Sequence, residues 1–369
     1  MQDFWKNKRV LITGHTGFKG TWLVHWLKLM GAQVAGFALL PPTSPSLFEL
    51  SCASQDMISV VGDVRDLKAL KDIVCDFHPE IILHLAAQAL VRQSYSDPAE
   101  TYSTNIMGTV HLFEAVRSSK GVRAVVNVTS DKCYENREWM WGYRETDAMG
   151  GYDPYSCSKG CSELVTASYR NAFFNPDQYD RHGVGVASAR AGNVIGGGDW
   201  ATDRLIPDII KAFMRNRTVE IRSPNAIRPW QHVLEPLSGY LCLAESLYRE
   251  GARHAQAWNF GPSENDVKSV GWVVERMTSL WGGDARFEMD VKAHPHEAGC
   301  LKLDCAKART LLGWSPRLNL EQALEWTLDW YRAYHKNPLS CRDMMTAQIL
   351  RYQELTNNSL KAQRSGRSA

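Results

Sequence analysis

Thr13-Gly14-His15-Thr16-Gly17-Phe18-Lys19-Gly20 sets three glycines at a spacing of three between two different kinds of segment. Before it runs the apolar stretch Val10-Leu11-Ile12, a buried strand. After it Leu23, Trp26, Leu27 and Met30 recur at helical spacing until Gly31. The first glycine permits a tight turn. The second lets backbone approach a pyrophosphate, and the third lets the helix pack closely on the strand. The helix N-terminus then turns free N–H groups and the positive end of its dipole toward the phosphates. This arrangement points to a nucleotide cofactor on an α/β sheet. A glycine-rich turn in a ligand-free fold is the plainer alternative.

The rest of the chain follows the same pattern. Apolar runs at 10–12, 33–37, 58–61, 81–83 and 125–128 are separated by amphipathic stretches, among them Leu67, Leu70 and Val74. Unalternated strands between helices imply a parallel sheet covered on both faces. From Gly192 the character changes. Gly196-Gly197-Gly198 marks a loop, a helix is expected over 205–214, and a helix and strand at 237–248 and 258–261 return to the main sheet. The expected fold is α/β, a Rossmann-type doubly wound parallel sheet with a smaller, discontinuous α/β substrate-binding domain. Residues 1–191, joined by 229–264, form the dinucleotide domain. Residues 192–228 and 265–356 form the smaller one, and 357–369 a frayed tail.

A net charge of +2 gives no general pull toward nucleic acid or a membrane surface, so an anionic ligand must be met by local arginines. The nine cysteines include no Cys-x-x-Cys pair and no zinc spacing. Reduced cysteines and no metal are expected. Met1-Gln2-Asp3-Phe4-Trp5-Lys6 lacks the apolar core of a signal peptide, which gives the expectation of a cytoplasmic enzyme.

Many such sheets carry a carboxylate after the second strand for the adenine ribose. Phe37-Ala38-Leu39-Leu40-Pro41-Pro42 has neither an acid nor an arginine for a 2′-phosphate. NAD is therefore favoured over NADP, with weaker ribose anchoring and readier exchange. In Gly62-Asp63-Val64, Asp63 either accepts from the adenine amino group or caps the next helix.

Tyr155-Ser156-Cys157-Ser158-Lys159 puts a phenol and an ammonium on one face of a helix. A nearby Lys⁺ favours phenolate, which can take a hydroxyl proton while hydride leaves the same carbon. The pairing is common by chance. Behind a dinucleotide turn and shortly after the fifth strand it reads as catalytic.

These residues resemble the extended short-chain dehydrogenase/reductase superfamily. The matching pieces are the glycine turn, Leu85-Ala86-Ala87, Asn105 before Gly108-Thr109, Tyr155-x-x-x-Lys159, Arg228-Pro229-Trp230 and Leu312-Gly313-Trp314-Ser315-Pro316. Thr129-Ser130-Asp131-Lys132-Cys133-Tyr134 is similar to the active-site strand end of nucleotide-sugar 4,6-dehydratases, where Thr-Asp-Glu is usual. The Ser-Asp-Lys form resembles the branch that takes CDP-glucose.

The resemblance implies NAD held by Gly14, Gly17, Phe18, Lys19, Gly20, Asp63, Val64, Leu85, Ala86, Ala87, Tyr155 and Lys159. It implies a nucleotide sugar held by Asn193, Arg204, Arg228 and His296, and a homodimer or homotetramer built on a four-helix bundle. Catalysis falls to Ser130, Asp131, Lys132, Tyr155 and Lys159. Ser130 would bond the sugar O4 and Asp131 would act as acid, with its pKa raised. Lys132 is either the base at C5 or an electrostatic stabiliser of the enolate. Two rivals stand beside this reading. A 4-epimerase or reductase on the same fold would not need Asp131 and Lys132, and a non-catalytic NAD-sensing protein would not need Tyr155 and Lys159.

Overall fold

A computed structural model describes residues 2–283, 285–290 and 299–365. Seven strands form its main sheet: β1 (Arg9–Thr13), β2 (Gln33–Ala38), β3 (Ile58–Val61), β4 (Ile81–His84), β5 (Ala124–Val128), β6 (Gly185–Ala191) and β7 (Ala257–Phe260). Their order is β7-β6-β5-β4-β1-β2-β3 and every pairing is parallel. β1, β4, β5 and β6 are buried along nearly their whole length, as expected of strands covered on both faces. The order reverses between β1 and β4, and a crevice opens there at the C-terminal strand ends.

Nine helices organise the description: α1 (Phe18–Leu29), α2 (Leu67–Phe77), α3 (Gly108–Arg117), α4 (Pro154–Ala172), α5 (Leu205–Phe213), α6 (Leu234–Glu250), α7 (Val270–Trp281), α8 (Leu320–Lys336) and α9 (Cys341–Ser365). α2, α3 and α4 cover one face of the sheet, α1 and α6 the other. α6 and β7 return to the main sheet, with Trp258 pairing Ala189.

α9 packs on α1: Trp26 meets Tyr352 edge-on at 5.7 Å, and His25 Nε2 lies 2.8 Å from Thr346 Oγ1. The backbone is helical to Ser365, where fraying was expected from 357. The nine cysteines are unpaired. Among the described residues no helix is long and apolar enough to cross a membrane.

α4 is fixed at its start and in its middle. Asp153 caps it by accepting from Ser156 N at 2.9 Å, and Pro154 occupies its first turn. Eight residues on from Tyr155, Glu163 faces inward, 5% exposed. It accepts from Arg190 Nε and Nη2 at 2.9 Å each, from Thr129 at 2.5 Å and from Ser188 at 2.6 Å. Arg190 also donates to Tyr134 Oη at 2.6 Å. Helix, β6 and the chain just beyond β5 are thus pinned at one buried ion pair.

Arg190→Met strands the Glu163 carboxylate in the core. It is expected to cost ~3–5 kcal/mol in thermal or urea unfolding. The double variant Glu163→Leu/Arg190→Met is expected to recover most of that loss. A single variant as stable as the parent would show the pair to be dispensable.

Candidate functional site

The glycine turn closes the floor of the crevice. Gly14 has φ +77°, and a Cβ there would lie 2.7 Å from Ala86 N. A Cβ on Gly20 would sit 2.2 Å from Gly14 O, so only glycine lets α1 start this close to β1. A Cβ on Gly17 would meet nothing nearer than Gly14 O at 3.5 Å, leaving that backbone open to a ligand. Asp66, Asp153, Ser269 and Asn319 cap α2, α4, α7 and α8 with a side chain, whereas α1, like α3, α5 and α6, has none, and Gly17 stands at its cap. An uncapped helix end behind an open glycine turn fits a dinucleotide pyrophosphate.

Above the turn lies a cavity of about 300 Å³. It gathers Phe18, Lys19, Leu85, Ala87, Ser130, Asp131, Lys132, Tyr155, Lys159, Asn193, Arg204 and Arg228 from six stretches of chain. Ala86 abuts the turn from behind. Asp63 and Val64 follow β3, off the cavity. The helix cap there is Asp66, which accepts from Ala69 N at 3.0 Å, so Asp63 does not cap it. Asp63 is instead held by Arg65, with Nε 2.9 Å from Oδ2, and that cation holds its carboxyl below the ordinary range. Val64 is buried and accepts from His111 Nδ1 at 3.1 Å. His296 lies outside the described residues, as do His294 and Glu297. Trp139 and Trp141 line a different cleft with Lys302 and Arg309, and Trp200 packs on Tyr331 at 5.2 Å.

Burial dominates the protonation of the site. The Tyr155 phenol is pushed up to about 12 by burial, with Asp131 adding to it. Ser130 and Arg204 work the other way. The lowering expected from Lys159 is not found: desolvation of the phenolate exceeds the help from Ser130 and Arg204. Lys159, 6% exposed, donates to Val128 O at 3.5 Å and is brought down to about 8 by burial. Lys19 falls to about 7, by burial first and then by repulsion from Lys159 and Arg204.

Asp131 is 2% exposed. Its Oδ1 accepts from Ser130 Oγ at 3.0 Å, and its Oδ2 has no hydrogen-bond partner among the described residues. Burial raises its pKa against the pull of Lys132, Ser130 and Arg228. A Cβ on Gly192 would lie 3.0 Å from Oδ2, so the glycine after β6 makes room for this carboxyl. The Lys132 ammonium makes no hydrogen bond among the described residues. Arg228 is buried and donates to Ile227 O at 3.0 Å.

Sequence reasoning missed three acids. Asp199 holds Arg204 at 3.1 Å. Asp203 lies 3.2 Å from Arg92 and 3.6 Å from Arg222, joining both sides of the cavity mouth. Glu163 had a readable signal: it continues the Tyr155/Lys159 face of α4, so it had to be buried and had to find a cation.

Lys159→Met tests the burial argument. The folded chain releases this proton near pH 8 and the unfolded chain near 10.5. The penalty for burying the charge, ~3 kcal/mol, is therefore full below pH 8 and fades toward 10.5. The variant is expected to melt higher than the parent at pH 7, with the gap closing by pH 10, while kcat falls roughly a hundredfold or more. A gap independent of pH would contradict the assignment.

The GDP-mannose 4,6 dehydratase family model matches residues 11–327. The CDP-glucose 4,6-dehydratase of Salmonella typhimurium is 59% identical over 333 residues, covering 90% of this chain and 93% of that one. A UDP-glucose 4-epimerase of Mycolicibacterium smegmatis is 26% identical, over 88% of this chain and 98% of its own. Among solved structures, the dTDP-glucose 4,6-dehydratase of Streptomyces venezuelae with NAD bound superposes with a TM-score of 0.75 at 23% identity, covering 90% of this chain and 99% of that one, a likeness of fold. The family model spans the glycine turn, the Ser130-Asp131-Lys132 strand end and the Tyr155/Lys159 helix alike, and the chain belongs to the GDP-mannose 4,6 dehydratase family.

Proposed function

We propose that this chain is an NAD-dependent hydro-lyase converting CDP-D-glucose to CDP-4-keto-6-deoxy-D-glucose. The observation that carries the chemistry is one cavity holding a buried phenol and a buried ammonium together with a buried acid, one oxygen of which has no hydrogen-bond partner among the described residues. An epimerase or reductase needs only the pair. The assignment of the sugar nucleotide rests on the Salmonella relative and on Ser130-Asp131-Lys132.

NAD, which Gly14, Gly17 and Gly20 would hold at the glycine turn, would supply reversible hydride acceptance and donation with no net oxidation of the sugar. Tyr155 takes the 4-hydroxyl proton, and Lys159 supplies positive charge beside the phenolate. Ser130 hydrogen-bonds O4. The 4-ketone acidifies C5–H. Lys132 removes that proton, for which it must be neutral, while Asp131, kept protonated by burial, protonates the departing 6-hydroxyl. Arg228 and Asn193 hold the diphosphate, a task suited to a planar guanidinium, and Arg204 borders the sugar. Asp63, once released from Arg65, would accept from the adenine amino group. Exposed Met107 and Leu164, next to α3 and on α4, suit contact with a second copy of the chain in a homodimer or homotetramer. The enzyme would work in the cytoplasm.

Incubation with NAD and CDP-, dTDP-, GDP- or UDP-glucose is expected to give a 4-keto-6-deoxy product with the CDP sugar far ahead of the others. Inversion at C4 with the 6-hydroxyl retained would favour the epimerase reading. The second expectation concerns Lys132→Ala given 5-deuterated CDP-glucose. Loss of the C5 label should slow by roughly a hundredfold or more. Unimpaired loss would leave Lys132 as a stabiliser of the enolate and no base.

A further inference from the structure

The sugar nucleotide proposed above carries its negative charge on a diphosphate, so an acid on the cavity wall repels it unless a cation or a donor answers that acid. Among the described residues the wall holds Asp131, Asp199, Asp203, Asp208 and Glu220. Asp131 stands at the catalytic end. Asp199 holds Arg204 at 3.1 Å, and Asp203 lies 3.2 Å from Arg92 and 3.6 Å from Arg222. Glu220 is exposed on the strand Val219–Ile221. Asp208, half-buried on α5, makes no side-chain hydrogen bond or ion pair among the described residues. Its cationic neighbours on the helix are committed elsewhere. Lys211, three residues on, gives its ammonium to Trp200 O at 2.8 Å and Ala201 O at 3.3 Å. Arg204, one turn back, is the cation held by Asp199. Burial raises the pKa of the Asp208 carboxyl, with Lys211 working against it and Asp203 adding to it.

The place of Asp208 along the substrate follows from the other contacts. With glucose on Tyr155 and the diphosphate on Asn193 and Arg228, the nucleoside falls to the outer wall formed by 203–208 and 219–223. Pro207 and Val219 give that wall apolar surface for a flat ring, and Asp208 directly follows Pro207. A ring placed there must offer a donor to the carboxylate. Cytosine carries an amino group at C4. Uracil and thymine carry a carbonyl oxygen at that position, which a carboxylate repels.

We propose that Asp208 selects the base of the sugar nucleotide, its carboxylate accepting a hydrogen bond from the amino group at C4 of cytosine. The bond is charge-assisted, and it gives a partner to an acid that the protein itself leaves unpaired. Uracil or thymine in the same place sets a carbonyl oxygen against the half-buried carboxylate, so discrimination comes from repulsion as well as attraction. The role rests on the CDP-glucose reading above and assigns the contact that reads its base. An acid in the first turn of a helix also meets the positive end of the dipole, which needs no ligand. That purely structural role does not distinguish one base from another.

The test is calorimetric titration of CDP and of UDP into the full chain saturated with NAD. The parent is expected to bind CDP more tightly than UDP. Asp208→Asn keeps the size of the side chain and can turn its amide to donate to the uracil O4. It should lower the CDP-to-UDP affinity ratio by roughly tenfold to a hundredfold. With CDP-glucose as substrate, KM should rise in this variant while kcat stays near the parent's, because the contact lies away from the reacting carbons. Asp208→Glu, which displaces the carboxylate, should also lower the ratio and serves if Asp208→Asn does not fold. Glu220→Gln should leave the ratio at the parent's value. A loss of affinity shared equally by CDP and UDP in the Asp208 variants, with the ratio unchanged, overturns the assignment while leaving the CDP-glucose reading intact. A ratio that collapses in Glu220→Gln and not in the Asp208 variants overturns it as well. A parent that binds CDP and UDP equally overturns the CDP-glucose reading, and the role of Asp208 with it.

Discussion

Hydrogen bonds from Thr129, Ser188 and, twice, Arg190 meet at the Glu163 carboxylate, and the active-site geometry depends on that meeting point. Thr129 directly precedes Ser130. Glu163 lies one turn beyond Lys159, and Arg190 lies two residues before Gly192, which shelters Asp131. Fixing this contact therefore fixes how the phenol on α4 stands to the acid beyond β5. A bidentate, charge-assisted pair holds direction as well as distance. Its burial makes loss of one partner costly, because the other charge is left without compensation. The precision that proton transfer demands is thus obtained from helix and strand rather than from loops.

The sequence was most readable where burial on both faces leaves no choice of residue. β1, β4 and β5 are continuous apolar runs, and the structure places them within a residue or two of where the runs fall. The glycine turn and the Tyr155/Lys159 face were legible because each is a local geometric demand. What stayed hidden depends on neighbours distant in sequence. Trp26 meets Tyr352 across more than three hundred positions, so nothing local says that α9 belongs on α1. The cap of α2 is Asp66, although Asp63 fits the same pattern; a nearby Arg65 decides between them. The sequence pointed to Lys159 favouring the Tyr155 phenolate, because a sequence shows charges and not desolvation. In the folded chain the larger force is burial.

That same force sorts the ionisable groups of the cavity into useful states. Burial raises carboxyl and phenol and lowers ammonium, so each is moved toward its neutral form. A neutral acid can protonate a leaving hydroxyl, and a lysine near 7 or 8 responds readily to nearby charge. Arginine alone resists this drift, since its charge is delocalised and its pKa very high. Arg228 stays charged while buried, and Arg204 is kept so by Asp199, against the cost of its burial. The division of labour follows from the chemistry of the two cations. Arginines suit the permanent negative charge of a diphosphate, and lysines suit groups that must give up or share a proton.

The chain as a whole is nearly neutral, at +2, and one cavity sets Lys19, Arg92, Lys132, Lys159, Arg204, Arg222 and Arg228 against Asp131, Asp199, Asp203, Asp208 and Glu220. The excess of basic side chains, walled by low-dielectric protein, favours an anionic ligand there. It also explains why the acid must be so deeply placed. At the mouth, Asp131 would be ionised and paired with one of those cations, as Asp203 is with Arg92 and Arg222. Sunk behind Gly192 with one oxygen on Ser130, it is removed from direct pairing, and burial raises its pKa toward the neutral form that the proposed elimination would require.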